Sequence, residues 1–269
     1  MGYKLVALDI DGTIRSDDHP MSQRTRRAIG KARDAGAVIT LATGRIFKSA
    51  ARSAADLKIT TPIASFQGAQ IADPVTGEVL WHVPLTSAMV RMALEATESR
   101  RLEVMGYCGD VVVVSRMTAW LEAYGTRNDV EVREVGDLAG FVGDDLTRLV
   151  FRGADDVIER LEADLKARFD SELYVTRSLP YFCEILHPLG GKDKALAWLA
   201  ANMGVDRRET VAFGNGFNDV QMLEWSGLGV AIGGAVPQIL AVADVVARPV
   251  EEDGVALILE ELIDRGLIG

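Results

Sequence analysis

Short apolar runs of strand length alternate with amphipathic stretches of helical spacing at both ends of this chain, and the alternation breaks off in the middle. Residues 4–8 read as a strand, 22–35 as a helix stopped by Gly36, and 37–42 as a buried strand ending at Thr43-Gly44. Residues 45–57 follow as a helix and 62–65 as a short third strand. From Lys192 the pattern returns: helix 193–203, strand 210–213, helix 218–226, strand 229–232, helix 237–243, strand 245–247 and helix 255–265. Strands alternating with helices predict parallel βαβ units covered on both faces. Between them lie a helix at 86–101, strands at 103–108 and 111–116 around Gly109-Asp110, and a short helix at 118–125. A strand at 146–152, a helix at 154–169 and a strand pair at 172–177 and 182–186 complete this region. The expectation is an α/β fold: a Rossmann-like parallel-sheet core, residues 1–83 and 187–269, with helices on both faces and an inserted α+β module at 84–186.

Charge and cysteine usage narrow the partners. The 269 residues carry 29 Lys+Arg against 39 Asp+Glu, a net charge of −10. That balance argues against nucleic acid, whose phosphates need clustered cations. It leaves open a small phosphorylated substrate, because one metal ion and one lysine reverse the field locally. No window approaches 18 uninterrupted apolar residues, so no membrane span is predicted. Cys108 and Cys183 are isolated, without metal-ligand or disulfide-framework spacing, which favours a reducing cytoplasm. Oligomeric state is not legible.

In open α/β sheets ligands bind beyond the carboxyl ends of the strands. The polar residues following the core strands are Asp9, Asp11, Gly12 and Thr13, then Thr43, Gly44 and Arg45, then Asn215, Asn218 and Asp219, with Lys192 opening a late helix. Asp9 and Asp11 project the same way if the backbone is extended there. Like charges that close call for a cation or a raised pKa, and a hard, oxygen-seeking ion such as Mg²⁺ suits them. His19, His82 and His187 are scattered and read as structural, and the four tryptophans as packing groups.

Asp9-Ile-Asp-Gly-Thr13, Thr43-Gly-Arg45, Lys192 and Gly214-Asn-Gly-Phe-Asn-Asp219 resemble the four ordered motifs of the haloacid dehalogenase-like hydrolase superfamily. The insertion looks like the cap domain of its Cof-type subgroup, mostly phosphatases of sugar phosphates and related small molecules. The resemblance implies that Asp9 is the nucleophile, forming an aspartyl-phosphate, and that Asp11 protonates the leaving oxygen and then activates water. It implies phosphate contacts from Ile10, Thr43, Gly44, Lys192 and Asn218, and Mg²⁺ held by Asp9, Asp11, Asn215 and Asp219. The cap would close over the leaving group and select it, with Arg116, Arg177, Tyr181 and Glu184 as candidate contacts.

One position departs from the pattern. The fourth motif usually opens Gly-Asp, and here Asn215 follows Gly214. An amide oxygen binds Mg²⁺ without bringing charge, so weaker metal binding is expected. The leading reading is a Mg²⁺-dependent phosphatase. The alternatives are a phosphate-ligand binding or sensor protein on the same fold, and a phosphotransferase to a sugar acceptor.

Overall fold

The computed structural model describes residues 2–141 and 146–269. The chain divides into two compact units, Met1–Trp81 with Gly191–Gly269, and His82–Gly190. In chain order the elements are β1 (Leu5–Leu8), α1 (Gln23–Asp34), β2 (Val38–Leu41), α2 (Phe47–Leu57), β3 (Ile63–Ser65), β4 (Gln70–Ala72) and β5 (Val79–His82). Then come α3 (Ser87–Thr97), β6 (Glu103–Cys108), β7 (Val111–Val114), α4 (Ala119–Asn128), β8 (Glu131–Glu134), α5 (Leu138–Phe141), β9 (Leu146–Arg152), α6 (Asp155–Phe169), β10 (Tyr174–Leu179) and β11 (Phe182–Leu186). The last stretch holds α7 (Lys192–Asn202), β12 (Thr210–Gly214), α8 (Val220–Trp225), β13 (Leu228–Ala231), α9 (Pro237–Leu240), β14 (Val245–Val246) and α10 (Gly254–Asp264).

The first unit is built on a five-stranded sheet in the order β14-β13-β12-β1-β2, every neighbouring pair parallel. All four residues of β1 are buried because its two side-chain rows meet different helix layers. Val6 and Leu8 pack with Ala28 and Ile29 of α1, Ala54 of α2 and Leu259 of α10. Leu5 and Ala7 pack with Leu196 and Leu199 of α7 and Met222 and Leu223 of α8. Ser22 caps α1 by accepting from the Thr25 N–H at 3.0 Å, and Gly36 follows the helix with φ +109°.

Two local expectations are corrected. Residues 62–65 do form a strand, β3, but it leaves the parallel layer for a separate three-stranded sheet with β4 and β5. Phe66, Gln67 and Gly68, at φ +50°, +56° and +83°, turn the chain back so that β4 returns antiparallel to β3. A parallel bridge between Ala42 and Ala64, with the Thr43 N–H donating to the Ala64 carbonyl at 3.0 Å, still continues the line of β2. The helix expected at 218–226 starts as a 3-10 turn over Phe217–Asp219, with α8 beginning at Val220.

The second unit is a six-stranded sheet, order β10-β11-β9-β6-β7-β8, antiparallel except for β7 with β8. One face buries Leu149, Phe151, Val175, Cys183 and Ile185 beneath Val90 of α3 and Leu161 and Leu165 of α6. The other carries Tyr107, Arg148 and Glu184, with Arg148 donating to Glu184 at 2.7 Å inside the protein. Of the residues offered as selectivity contacts, Glu184 is thus committed to Arg148, and Arg177 pairs with Glu162 of α6 at 2.5 Å. Arg116 and Tyr181 are exposed.

Candidate active site

Neighbouring parallel strands present their carboxyl ends on one edge, and β2, β1 and β12 are consecutive in the first unit's sheet. Asp9 to Thr13 therefore leave β1 beside Thr43 to Arg45 from β2 and Asn215 to Asp219 from β12. Gly12 makes the fit possible: its φ is +81°, and a Cβ there would lie 2.1 Å from Asn215 Nδ2.

Three buried charges hold the centre. Lys192, the first residue of α7, donates from Nζ to Asp9 Oδ1 at 2.7 Å and to Asp219 Oδ1 at 2.5 Å. Burial, with the like charges of Asp219 and Asp11 added, pushes the Asp9 carboxyl up to about 7 although Lys192 acts against it. Burial also pulls on the Lys192 ammonium, but the carboxylates of Asp219 and Asp9 outweigh it and hold Lys192 above the usual lysine range. One cation between two buried carboxylates leaves net negative charge where water cannot screen it.

The two acids of the Asp-x-Asp motif do not project together. The Ile10 carbonyl accepts from the N–H groups of Thr13, Ile14 and Arg15, a tight turn that ends the extended backbone. Asp9 stays inside, whereas the Asp11 side chain is 54% exposed and accepts from Arg45 Nε at 2.7 Å and Nη2 at 2.5 Å. Among the described residues no group of three or more His, Cys, Asp or Glu side chains gathers as a metal site, in keeping with Asp11 turning away. Asp219 Oδ2 accepts from the N–H groups of Asn215 and Gly216 at 3.0 and 2.9 Å, which fixes the loop after β12.

A hard cation fits what remains. Thr13 Oγ1 lies 3.1 Å from both Asp9 Oδ2 and Asn215 Oδ1, but its single proton serves one of them at a time. With that proton on Asp9, the Asn215 amide oxygen is an open donor beside two carboxylates. All the donors are oxygens, and the raised Asp9 carboxyl marks negative charge that a divalent ion would offset.

Donors for an anion converge on the same edge. Thr43 is buried; its Oγ1 accepts from the Arg45 N–H at 3.2 Å and keeps its own proton to give. Asn218 Nδ2 donates one hydrogen to Gln67 Oε1 at 2.8 Å and has a second. The Lys192 ammonium has a third N–H beyond the two on Asp9 and Asp219. Ile10 buries its side chain in the core and commits its carbonyl to the turn, so only its N–H is left for a phosphate. Gly44 lies so close to Gln67 that a Cβ would stand 2.4 Å from Gln67 Nε2.

Sequence reasoning placed Thr13 and Arg45 at the rim without assigning them a role, and did not single out Gln67. The first two lie inside the recognised motifs. Gln67 follows a strand end, so the carboxyl-end rule that picked out the other segments also reaches it. It sits beside Phe66, another left-handed non-glycine residue, and each such residue costs on the order of 1–3 kcal/mol.

A family described as haloacid dehalogenase-like hydrolase matches residues 6–259. The 5-amino-6-(5-phospho-D-ribitylamino)uracil phosphatase YitU of Bacillus subtilis (strain 168) is 29% identical over 261 residues, covering 96% of each chain. A haloacid dehalogenase-like hydrolase of known structure from Bacteroides thetaiotaomicron superposes with a TM-score of 0.81 at 27% identity, covering 97% of this chain and 99% of that one. BT1666 from Bacteroides thetaiotaomicron, a phosphatase of the same superfamily, gives a TM-score of 0.82 at 27% identity, with 97% and 95% covered.

Proposed function

The chain belongs to the haloacid dehalogenase-like hydrolase family and is a phosphatase, and from that premise we propose that it is a Mg²⁺-dependent phosphomonoesterase of a small sugar-like phosphate working through Asp9. The observation that carries this reading is the buried Asp9–Lys192–Asp219 cluster, a carboxylate kept next to an ammonium and short of one positive charge.

An Asp9 oxygen forms the bond to phosphorus as the bond to the leaving oxygen breaks, giving an aspartyl-phosphate. Lys192 offsets charge on the transferring phosphoryl group through its third N–H, and Thr43, Gly44, Asn218 and the Ile10 N–H bind its oxygens. Asp11 delivers its proton to the leaving oxygen, which requires release from Arg45, whose guanidinium donates to both carboxylate oxygens. The Asp11 carboxylate then takes a proton from the water that attacks phosphorus, the bond to Asp9 breaks, and inorganic phosphate leaves. Mg²⁺, which Asp9, the Asp11 carbonyl, Asn215 and Asp219 would hold, supplies the missing positive charge and aligns nucleophile with phosphate.

The substrate class follows YitU, named for a phosphate on a ribityl chain: a phosphorylated sugar or polyol derivative is the class carried to this chain. Cys183 is a buried free thiol, which supports a reducing compartment such as the cytoplasm. No helix among the described residues is long and apolar enough to cross a membrane.

The test is phosphate release from sugar phosphates, nucleotides and an aryl phosphate across a Mg²⁺ titration, with Asp9→Asn as the control. Release that saturates with Mg²⁺ and disappears in Asp9→Asn is expected, and product analysis with added acceptor sugar separates hydrolysis from transfer. Turnover by Asp9→Asn at the parent rate would remove Asp9 as the nucleophile. Phosphoester binding without turnover at saturating Mg²⁺ would make the protein a binder.

A further inference from the structure

The turn after β3 has no part in the reaction above, yet it touches the loop after β2, the residue before Lys192 and the loop after β12. The Phe66 N–H donates to the Arg45 carbonyl at 2.9 Å and the Gln67 N–H to the Thr43 carbonyl at 3.0 Å. A Cβ on Gly68 would stand 2.2 Å from the carbonyl oxygen of Gly191, the residue before Lys192. Gln67 is buried, its amide nitrogen lies against Gly44, and its Oε1 accepts from Asn218 Nδ2 at 2.8 Å. A left-handed φ of +56° suits glycine or asparagine better than glutamine, so the backbone alone does not call for this side chain.

We propose that Gln67 is the positioning residue for phosphate at this site, locking the Asn218 carboxamide so that its nitrogen, and not its oxygen, faces the anion. The inference rests on the reading of Asn218 as a phosphate contact. A carboxamide has two nearly isosteric ends, one donating and one accepting, and a half-turn exchanges them. Presented nitrogen-first, Asn218 gives its second N–H to a phosphate oxygen; presented oxygen-first, it sets lone pairs against an anion. Gln67 Oε1 accepts only from the nitrogen end, so its hydrogen bond selects the binding orientation. Gly44 is the counterpart, because any side chain there would displace the Gln67 amide.

The test compares the parent, Gln67→Met, Asn218→Ala and the double variant. Binding of inorganic phosphate in the presence of Mg²⁺ is measured by calorimetry, and KM and kcat with an aryl phosphate. Methionine keeps the length and removes the acceptor. Phosphate affinity should fall about tenfold and KM rise by a similar factor, with kcat within about twofold, since the contact serves ground and transition states alike. In the Asn218→Ala background the same substitution should change affinity less than about twofold, because nothing is left to orient. A loss that persists undiminished in that background, or unchanged affinity in folded Gln67→Met, overturns the proposal. Should Gln67→Met not fold, Gln67→Asn tolerates the left-handed turn and withdraws the oxygen by one methylene. It should show the same loss, and parent-like affinity in that variant also overturns the proposal. A parent protein that binds no phosphate overturns this inference together with the phosphatase reading, whereas a binding, hydrolysing parent with unaltered variants overturns this inference alone.

Discussion

Without a divalent cation, removing the Asp9 charge should stabilise the protein above neutral pH. Burial first, and then the charges of Asp219 and Asp11, raise the Asp9 carboxyl from 3.8 to about 7 against the pull of Lys192. Between those two values the folded protein keeps a proton that the unfolded chain has released, so stability falls as pH rises through that window. Going from pH 5 to pH 8 crosses about two pH units below the folded value, each worth ~1.4 kcal/mol, or ~3 kcal/mol in all. For a protein of this size that corresponds to a Tm change of about 6–12 °C. Asp9→Asn keeps one oxygen to accept from Lys192 and an amide nitrogen that can donate to the Thr13 hydroxyl, but cannot ionise. Thermal melts at pH 5 and pH 8 in a chelating buffer should therefore show the parent losing this much more than the variant. Adding Mg²⁺ at pH 8 should restore the parent and leave the variant unmoved. Parallel pH dependence in the two proteins, or equal stabilisation of both by Mg²⁺, would refute the account of Asp9 as a buried acid awaiting a cation.

Lys192→Met leaves Asp9 and Asp219 buried without their ammonium, and urea denaturation at pH 8 should show a loss of about 3–5 kcal/mol, smaller at pH 5 where a carboxyl is protonated. Asn215→Asp adds a carboxylate beside the proposed cation, so the Mg²⁺ concentration for half-maximal activity should fall by roughly tenfold, a modest share of what one close charge is worth. An unchanged midpoint would detach Asn215 from the metal. Asp11→Asn breaks a partly exposed ion pair with Arg45 and should alter stability by about 1 kcal/mol or less. The same variant should lower kcat on an alkyl phosphate about 10²–10⁴-fold, and less on an aryl phosphate whose leaving group needs no proton. Equal losses on both substrates would take leaving-group protonation away from Asp11.

What could be read from the sequence was what repeats or what stops abruptly. The alternation of β1, α1, β2 and α2, and its return from α7 to α10, follow from side-chain period, and Gly36 marks a helix end by chemistry that acts over a few residues. The departure of β3 from the parallel layer has no such local signal: Phe66 and Gln67 are not residues that announce a left-handed turn, and hydrogen bonds to the Arg45 and Thr43 carbonyls hold them there. The exposed edge strand β8, with Glu131, Arg133 and Glu134 on four positions, lacks the apolar alternation by which β6 and β9 are found. At the site, residue types and order in the chain pointed to the same edge because strand ends are fixed by topology. Side-chain direction was not legible, as Asp11 shows: its position depends on three hydrogen bonds to one carbonyl, that of Ile10.

That turn also accounts for how two identical side chains two residues apart can take the opposite parts proposed for them. A nucleophile that carries a phosphoryl group has to be kept from bulk water, and Asp9 stands at the end of β1, between β12 and β2, where the sheet and its helices exclude solvent. An acid that gives a proton in one half-reaction and takes one in the next has to exchange protons with its surroundings, and Asp11 stands at the rim, half exposed, on a guanidinium that can release it. If the strand ran on straight through Asp11, both carboxylates would share the buried field and one would have to stay protonated. The turn at Ile10, with Gly12 pressed against Asn215, separates the two environments within four residues. Lengthening or straightening it should therefore damage the acid step before it damages the fold.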